Sequence, residues 1–296
     1  MAAQQDESSA AYPHFRTANV DGLEIFYREA GPTDAATILL LHGFPTSSHM
    51  FRDLIPLLAN RYHVVAPDYP GFGYTSTPSV AEFKYTFDRL AEVMSDFADA
   101  VGLKRYALYA QDFGGPVGFR LAAAAPERVR ALIVQNANAY AEGVGEDVRD
   151  LLLRLYRERT PQMRATAAEL FELPYTKKQF LQGVPDPTRV NPDAWQHAQW
   201  GMDRPGNKDI QYALHANYAT NFERYEEWQA YFRNYQPPTL VVWGKGDFVF
   251  GVPGAEAYRR DLKSIELHLL DTGHFALETH AVEIAAYMHG FLSRHM

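Results

Sequence analysis

Short apolar runs that stop abruptly at glycine or proline constrain the fold of this chain most strongly. The runs lie within TILLLHGFPTSS (37–48), YHVVAPDYPGFGYTSTP (62–78), YALYA (106–110), ALIVQNA (131–137), TLVVWGKGD (239–247) and IELHLLDTGH (265–274). Such runs are typical of strands buried on both faces of a sheet. Between them, from Tyr85 to Val101 and from about Pro116 to Ala124, apolar residues recur at helical spacing. Strands that alternate with helices predict an α/β fold with a mostly parallel sheet and right-handed crossovers.

The pattern changes after Ala137. Residues 138–235 lack β-rich runs and contain amphipathic helical pieces such as VRDLLLRLYRERT and PQMRATAAELFEL. The alternation of strands and helices resumes at residue 239. Near the start of the chain, GLEIFYREAG (22–31) alternates apolar and polar residues and predicts a further strand. The sequence therefore predicts a core domain from residues 1–137 and 236–296, with a helical cap at 138–235.

Composition excludes several classes of protein. The net charge of −8 and the pI near 5.8 argue against a nucleic-acid or anionic-membrane partner. The absence of cysteine excludes disulfides, thiolate catalysis and Cys-ligated metals. The first ten residues are polar and acidic, unlike a signal peptide, and no apolar run approaches the roughly 20 residues of a membrane span. We expect a cytoplasmic protein, and the sequence is compatible with a homodimer.

One carboxylate stands at the end of a buried strand, in AQDFGG. Asp112 is surrounded by the small residues Ala110, Gly114 and Gly115 at positions −2, +2 and +3. Tight strand-to-helix turns that expose a nucleophile need small neighbours, because the backbone there is crowded. The alternative is an Asp that only caps the following helix.

Two partners follow in chain order. Asp247 lies just beyond a strand in WGKGD, and His274 lies just beyond the last strand in DTGHF. Taken singly, Asp247 is compatible with an ordinary turn and His274 with a buried, hydrogen-bonded histidine. Parallel strands place their carboxyl ends at one edge of the sheet, so the three together favour a nucleophile, an acid and a base in one site.

The loop HGFP (42–45) adds two candidate hydrogen-bond donors. It follows the first buried strand, where the backbone N–H of Phe44 can point to the same place as the N–H of Phe113. Two such donors form an oxyanion hole. A plain Gly-Pro turn with Phe44 in the core is the alternative.

The motifs LLHGFPTSS, DYPGFGYTSTP, AQDFGGPVGF, GKGDFVF and DTGHFALETH resemble the α/β-hydrolase superfamily, within it the epoxide hydrolase and haloalkane dehalogenase branch. The resemblance extends from about Phe15 to Leu292. It implies an α/β-hydrolase fold, in which helices flank a mostly parallel central sheet and a helical cap is inserted. It implies neither a cofactor nor a metal ion.

An aspartate nucleophile suits attack on a saturated carbon. A carboxylate has an ordinary pKa of about 3.9, so it needs no base, and its attack on an epoxide or a carbon–halogen bond gives a stable ester. His274, oriented by Asp247, would then activate the water that hydrolyses the ester of Asp112. We therefore expect an epoxide hydrolase that acts on a small, apolar organic substrate.

Epoxide hydrolases, which this chain resembles, protonate the opening ring with one or two tyrosines of the cap. Tyr218 in HANYATN matches one of them, although the usual Arg after it is Ala219 here. Tyr156, 44 residues beyond Asp112, is the candidate for the other. A shifted register would put Leu153 at that position, and Tyr140 is a further candidate. For each tyrosine, packing in an aromatic-rich cap is the alternative.

A haloalkane dehalogenase is the second reading. Dehalogenases of this branch generally hold the halide with a Trp after the nucleophile, where this chain has Phe113, and Phe44 replaces the Asn of one subgroup. Trp195 and Trp200 remain as halide donors. A fluoroacetate dehalogenase is less favoured, since Phe113 replaces an Arg. A binding protein without catalysis is disfavoured, because nucleophile, acid and histidine are all present. The expected substrate contacts are Phe44, Phe113, Tyr140, Trp195 and Phe248.

Overall fold

The computed structural model describes residues 12–296. The polar residues 1–10, on which the argument against a signal peptide rests, lie outside this range. Within the described part of the chain, no helix is both long enough and apolar enough to cross a membrane.

Within residues 12–296, eight strands form one sheet. They are β1 (His14–Val20), β2 (Leu23–Ala30), β3 (Thr37–Leu41), β4 (His63–Pro67), β5 (Tyr106–Gln111), β6 (Val129–Gln135), β7 (Thr239–Gly244) and β8 (Ile265–Leu270). Their order across the sheet is β1-β2-β4-β3-β5-β6-β7-β8. β2 pairs antiparallel with β1 and β4, and every other pairing is parallel. The predicted fold class is confirmed. Only β1 was missed, because its residues are mostly exposed and carry no apolar alternation.

Twelve α-helices are present in residues 12–296. They are α1 (Ile55–Leu58), α2 (Phe87–Ala100), α3 (Gly114–Ala124), α4 (Glu146–Arg157), α5 (Pro161–Ala168), α6 (Leu173–Leu181), α7 (Pro192–Met202), α8 (Asn207–Asn217), α9 (Thr220–Glu223), α10 (Tyr225–Tyr235), α11 (Val252–Ala257) and α12 (Leu277–His295). α2 and α3 cover one face of the sheet, and α1 and α12 cover the other.

Coverage of both faces explains the continuous apolar runs. In β3, Leu39 and Leu41 point into one hydrophobic core, while Ile38 and Leu40 point into the core on the opposite face. All four side chains are fully buried. A strand with water on one face would need polar residues at alternate positions, so these runs specify central strands.

The chain between β6 and β7 contains helices α4 to α10 and no strand. We call residues 138–235 the cap. The cap contacts the core closely at Gly183, where an added Cβ would lie 2.0 Å from the backbone oxygen of Gly246. At a second contact the Asn217 side-chain oxygen accepts a hydrogen bond from the Phe87 N–H at 2.9 Å, at the start of α2.

Candidate active site

The turn between β5 and α3 holds Asp112 in a strained conformation. Its φ is +49°, in the left-handed region that favours glycine. The neighbouring glycines make this turn possible. A Cβ on Gly43 would lie 2.3 Å from the Asp112 Cβ, and one on Gly114 would lie 2.3 Å from the Leu41 carbonyl oxygen. Such strain, roughly 1–3 kcal/mol, persists where the surrounding structure fixes it, and it clusters at functional sites.

Two backbone amides face the Asp112 carboxylate. The Phe44 N–H donates to Oδ1 at 2.6 Å, and the Phe113 amide also lowers the pKa of the carboxylate. The structure thus brings together the two donors that the sequence predicts. Placed here, they can stabilise negative charge on Oδ1.

Asp247 and His274 form a buried pair beside this carboxylate. His274 Nδ1 lies 2.8 Å from Asp247 Oδ2, and both side chains are fully buried. Asp247 Oδ1 accepts the N–H groups of Val249 at 2.7 Å and Phe250 at 3.1 Å. Because the carboxylate is held by several donors, it fixes the orientation of the imidazole and leaves Nε2 as the ring nitrogen that faces Asp112.

His274 Nε2 lies 3.7 Å from Asp112 Oδ2. This distance is too long for a direct hydrogen bond. The Gln111 side-chain Nε2 lies 3.1 Å from the same ring nitrogen. An unprotonated Nε2 can accept this amide N–H.

Burial and charge act in opposite directions on these groups. Burial raises the pKa of Asp112 to about 6, against the lowering effects of His274 and the Phe44 and Phe113 amides. Burial alone would lower the pKa of His274, but the charge and hydrogen bond of Asp247, together with Asp112, raise it. Asp112 is therefore mainly ionised at neutral pH and can act as a nucleophile.

A cavity of about 70 Å³ lies in front of Asp112. Its walls are mainly apolar and come from the cap and from the loop after β7: Val148, Leu151, Leu152, Leu170, Val249 and Phe250. Besides Asp112, four polar side chains line it: Tyr175, Gln179, His215 and Tyr218.

Tyr218 lies where the sequence predicts, in the cavity with Asp112. Its ring centroid is 5.7 Å from that of Phe113. The hydroxyl is buried and has no hydrogen-bond partner among residues 12–296. Burial, and then the charges of nearby groups including Asp112, raises its pKa well above the usual 10, so the group keeps its proton.

The structure does not place Tyr156 or Tyr140 at the cavity. Tyr156 lies in the last turn of α4, beyond the cavity, and is 39% exposed. α4 instead contributes Val148, Leu151 and Leu152 to the wall, and Leu153 is not part of it. Tyr140 is fully buried in the core, and its hydroxyl donates to Asp261 at 2.9 Å.

Three other expected contacts also lie elsewhere. Trp195 packs against the core on the opposite face of the sheet. Trp200 is 47% exposed and contacts Tyr74. Phe248 packs against Tyr175 and the Lys178 ammonium, while the next two residues of the chain line the cavity in its place. Of the expected substrate contacts, Phe44 and Phe113 are at the cavity.

Sequence reasoning missed several polar residues of the site. Tyr175 and Gln179 are four residues apart on α6, and His215 precedes Tyr218 by three, spacings that put each pair on one side of a helix. That spacing was the signal in the sequence that could have identified these residues.

Asn136, directly after β6 with φ +44°, was also missed. Its side chain donates to Asp247 Oδ2 at 2.8 Å, and its carbonyl accepts the Asp112 N–H at 3.3 Å.

No group of three or more His, Asp or Glu side chains in the described range is arranged to hold a metal ion. The polar side chains of the site can take part in proton transfer, and the Asp112 carboxylate can act as a nucleophile.

Comparison with known proteins defines the family. Residues 36–281 match the family model described as the alpha/beta hydrolase fold. The chain belongs to this family and is a hydrolase. It is 43% identical to the uncharacterized hydrolase YNR064C of Saccharomyces cerevisiae over 268 residues, 90% of this chain and 92% of that protein.

Two dehalogenases are also similar. Haloalkane dehalogenase 2 of Mycobacterium tuberculosis is 44% identical over 99 residues, only 33% of this chain and 34% of that protein. The crystal structure of the haloalkane dehalogenase DatA from Agrobacterium tumefaciens superposes with a TM-score of 0.79 at 22% identity, over 97% of this chain and 99% of that chain. The second similarity concerns the fold alone.

Proposed function

We propose that this protein is an epoxide hydrolase that converts an epoxide to a vicinal diol through an ester of Asp112. In the first step a carboxylate oxygen of Asp112 attacks a ring carbon, the ring C–O bond breaks, and a tyrosine gives its proton to the alkoxide. In the second, His274 takes a proton from water, whose oxygen attacks the ester carbon. His274 returns that proton to the leaving alcohol oxygen, and the proton of the regenerated acid restores the tyrosine.

This proposal rests mainly on the position of the Tyr218 hydroxyl. It lines the same cavity as Asp112 and has no hydrogen-bond partner in the described chain. A buried hydroxyl without a partner is costly, and a catalytic role is one physical reason for its presence. An epoxide oxygen is an acceptor, so it supplies the missing partner, and the raised pKa keeps the donor protonated.

Tyr175 is the second donor in this proposal and replaces Tyr156. It is half-buried and lines the cavity, and its hydroxyl makes no hydrogen bond within residues 12–296. Burial, followed by the charges of Asp112 and Asp247, raises its pKa to about 12.

The remaining roles follow from the contacts. His274 is the general base, and Asp247 orients it through the 2.8 Å hydrogen bond. The N–H groups of Phe44 and Phe113 stabilise the oxyanion that forms on Asp112 when water attacks. The mainly apolar wall favours a small or medium-sized apolar epoxide.

Haloalkane dehalogenation is the second candidate function, and the environment of Gln179 favours it. Its side-chain N–H₂ group is buried at the cavity and has no partner among residues 12–296. An amide N–H can hold a halide. The named dehalogenases among the similar proteins are consistent with this reading, but the tryptophans expected to assist lie away from the cavity.

One assay separates the two candidates. Styrene oxide and 1-bromobutane are incubated in parallel, and diol and bromide are measured. Diol without bromide supports the epoxide hydrolase, and bromide without diol supports the dehalogenase. Asp112→Asn, which keeps the shape of the side chain, is the control and should abolish either product.

A second experiment tests the covalent route. His274→Gln should still be alkylated but should fail to hydrolyse the ester, so the intact protein gains the mass of styrene oxide. The mass should map to the peptide that contains Asp112. An unmodified protein after prolonged exposure would contradict the ester intermediate.

A further inference from the structure

His215 is the one polar residue of the cavity that the proposed mechanism and its alternative leave unused. It lies on α8, is 7% exposed, and lines the cavity with Asp112. Its ring is held between aromatic side chains, with centroids 4.5 Å from Phe44 and 5.4 Å from Phe113. These two residues also supply the amides that face Asp112, so the imidazole lies beside the reacting centre.

The hydrogen bonds of His215 fix its tautomer. Nδ1 lies 2.8 Å from the backbone carbonyl oxygen of Gln211. A carbonyl oxygen only accepts, so Nδ1 carries the proton. Burial lowers the pKa of His215 to about 4, against the effect of that hydrogen bond, so the ring is neutral at physiological pH. Nε2 is therefore a hydrogen-bond acceptor without a proton.

No side chain in residues 12–296 donates to this nitrogen. Two donors that line the same cavity, the Tyr218 hydroxyl and the Gln179 side-chain N–H₂ group, have no partner among residues 12–296. An epoxide oxygen cannot donate a hydrogen bond to Nε2, because it too is only an acceptor. A purely hydrocarbon epoxide has no hydrogen-bond donor for Nε2, so this buried acceptor stays unpaired when such a substrate binds.

We propose that His215 determines specificity by accepting a hydrogen bond from the substrate, so that preferred substrates are epoxides with a hydroxyl close to the ring. This inference rests on the proposed epoxide hydrolysis. The contacts with Phe44 and Phe113 place the acceptor next to the ring-opening site, which favours an alcohol on the carbon adjacent to the epoxide. Sites built to bond a substrate hydroxyl discriminate strongly against analogues that lack it.

A matched pair of substrates tests the inference. trans-3-Phenyloxirane-2-methanol and trans-1-phenylpropylene oxide differ only by the hydroxyl. With the wild-type protein we expect kcat/KM for the alcohol to be about ten- to a hundredfold higher. The methyl ether of the alcohol keeps the oxygen but loses the donor, so it should react no better than the hydrocarbon. This comparison needs no variant.

His215→Phe removes the acceptor and keeps the aromatic contacts. The ratio of kcat/KM for the alcohol to kcat/KM for the hydrocarbon epoxide should fall to within about twofold. His268→Phe, which removes a histidine that stacks on Tyr287 outside the cavity, should keep the preference. His215→Gln places an amide oxygen near the position of Nε2 and should restore part of it.

The outcomes separate this inference from the proposed function. If none of the epoxides gives diol, the proposed function fails. If the epoxides give diol at equal efficiency, or if His215→Phe leaves the preference unchanged, the role of His215 is refuted and epoxide hydrolysis stands.

Discussion

Replacement of Tyr218 by Phe should make the protein more stable and less active. Its hydroxyl is buried and has no partner within the described residues. Burial of an unpaired hydroxyl costs about 1–3 kcal/mol. Its removal should therefore raise the free energy of unfolding by about 1 kcal/mol, a rise in Tm of roughly 2 °C for a chain of this size. In the proposed mechanism the same change removes the acid that protonates the alkoxide, so ring opening should slow by about 10²- to 10⁴-fold.

Tyr258→Phe is the matched control. Tyr258 is also fully buried, but its hydroxyl donates to the Ala137 carbonyl at 2.8 Å and it does not line the cavity. Its removal leaves that carbonyl unpaired, so stability should fall by about 1–3 kcal/mol while ring opening stays unchanged.

Calorimetry gives both Tm values, and rapid quench followed by mass spectrometry gives the rate at which the Asp112 ester forms. The assignment of Tyr218 would be refuted if Tyr218→Phe formed the ester at the wild-type rate. The argument about the unpaired hydroxyl would fail if Tyr218→Phe lost as much stability as Tyr258→Phe.

Three further predictions concern the core and the cap. Only ionised Asp112 attacks, so the rate of ester formation should fall about tenfold per pH unit below about 6; a constant rate down to about pH 4.5 would contradict the effect of burial. Gly43→Ala should reduce kcat/KM at least a hundredfold, since its Cβ would lie 2.6 Å from Asp112 Oδ1, whereas Gly201→Ala, which meets nothing within 4 Å, should be silent. Tyr156→Phe should keep kcat within about twofold, and a large loss would return Tyr156 to the site.

The core half of the site was predictable because strands buried on both faces leave a simple sequence signal. Each run ends where the chain turns at the same edge of the sheet, so the residues after β5, β7 and β8 had to converge. In the structure, His274 Nδ1 lies 2.8 Å from Asp247 Oδ2, and His274 Nε2 lies 3.7 Å from Asp112 Oδ2. Asn136 follows β6 at the same edge of the sheet. Its side chain donates a hydrogen bond to Asp247, and the sequence alone does not predict this contact.

The cap half was less predictable, because the cap has no comparable organising sheet. Helical periodicity indicates that α4 is amphipathic, but not which turn of its apolar face reaches the cavity. Tyr156 and Leu152 are one turn apart, and only Leu152 lines the wall. Tyr175 lies on a different helix, α6, which ends two residues before Gly183, where the cap closely contacts Gly246. In the proposed mechanism, the position of the second tyrosine therefore depends on tertiary packing and not on local propensity.

The two carboxylate oxygens of Asp112 are not equivalent, and this difference leads to a labelling prediction. Oδ1 accepts the Phe44 N–H at 2.6 Å, while Oδ2 lies 3.7 Å from His274 Nε2. A strong hydrogen bond draws charge from an oxygen and makes it a weaker nucleophile, so in the proposed mechanism Oδ2 attacks. Oδ1 becomes the ester carbonyl oxygen, already beside the amides that stabilise the oxyanion.

Because water then attacks the ester carbon, the oxygen that enters the diol comes from Asp112, and solvent oxygen replaces it in the protein. After a single turnover in heavy-oxygen water, mass spectrometry should find the label in the Asp112 peptide and none in the diol. Asp112→Asn provides the unlabelled reference. Label in the first diol, with none in the peptide, would mean that water attacks the epoxide directly and that Asp112 is not the nucleophile.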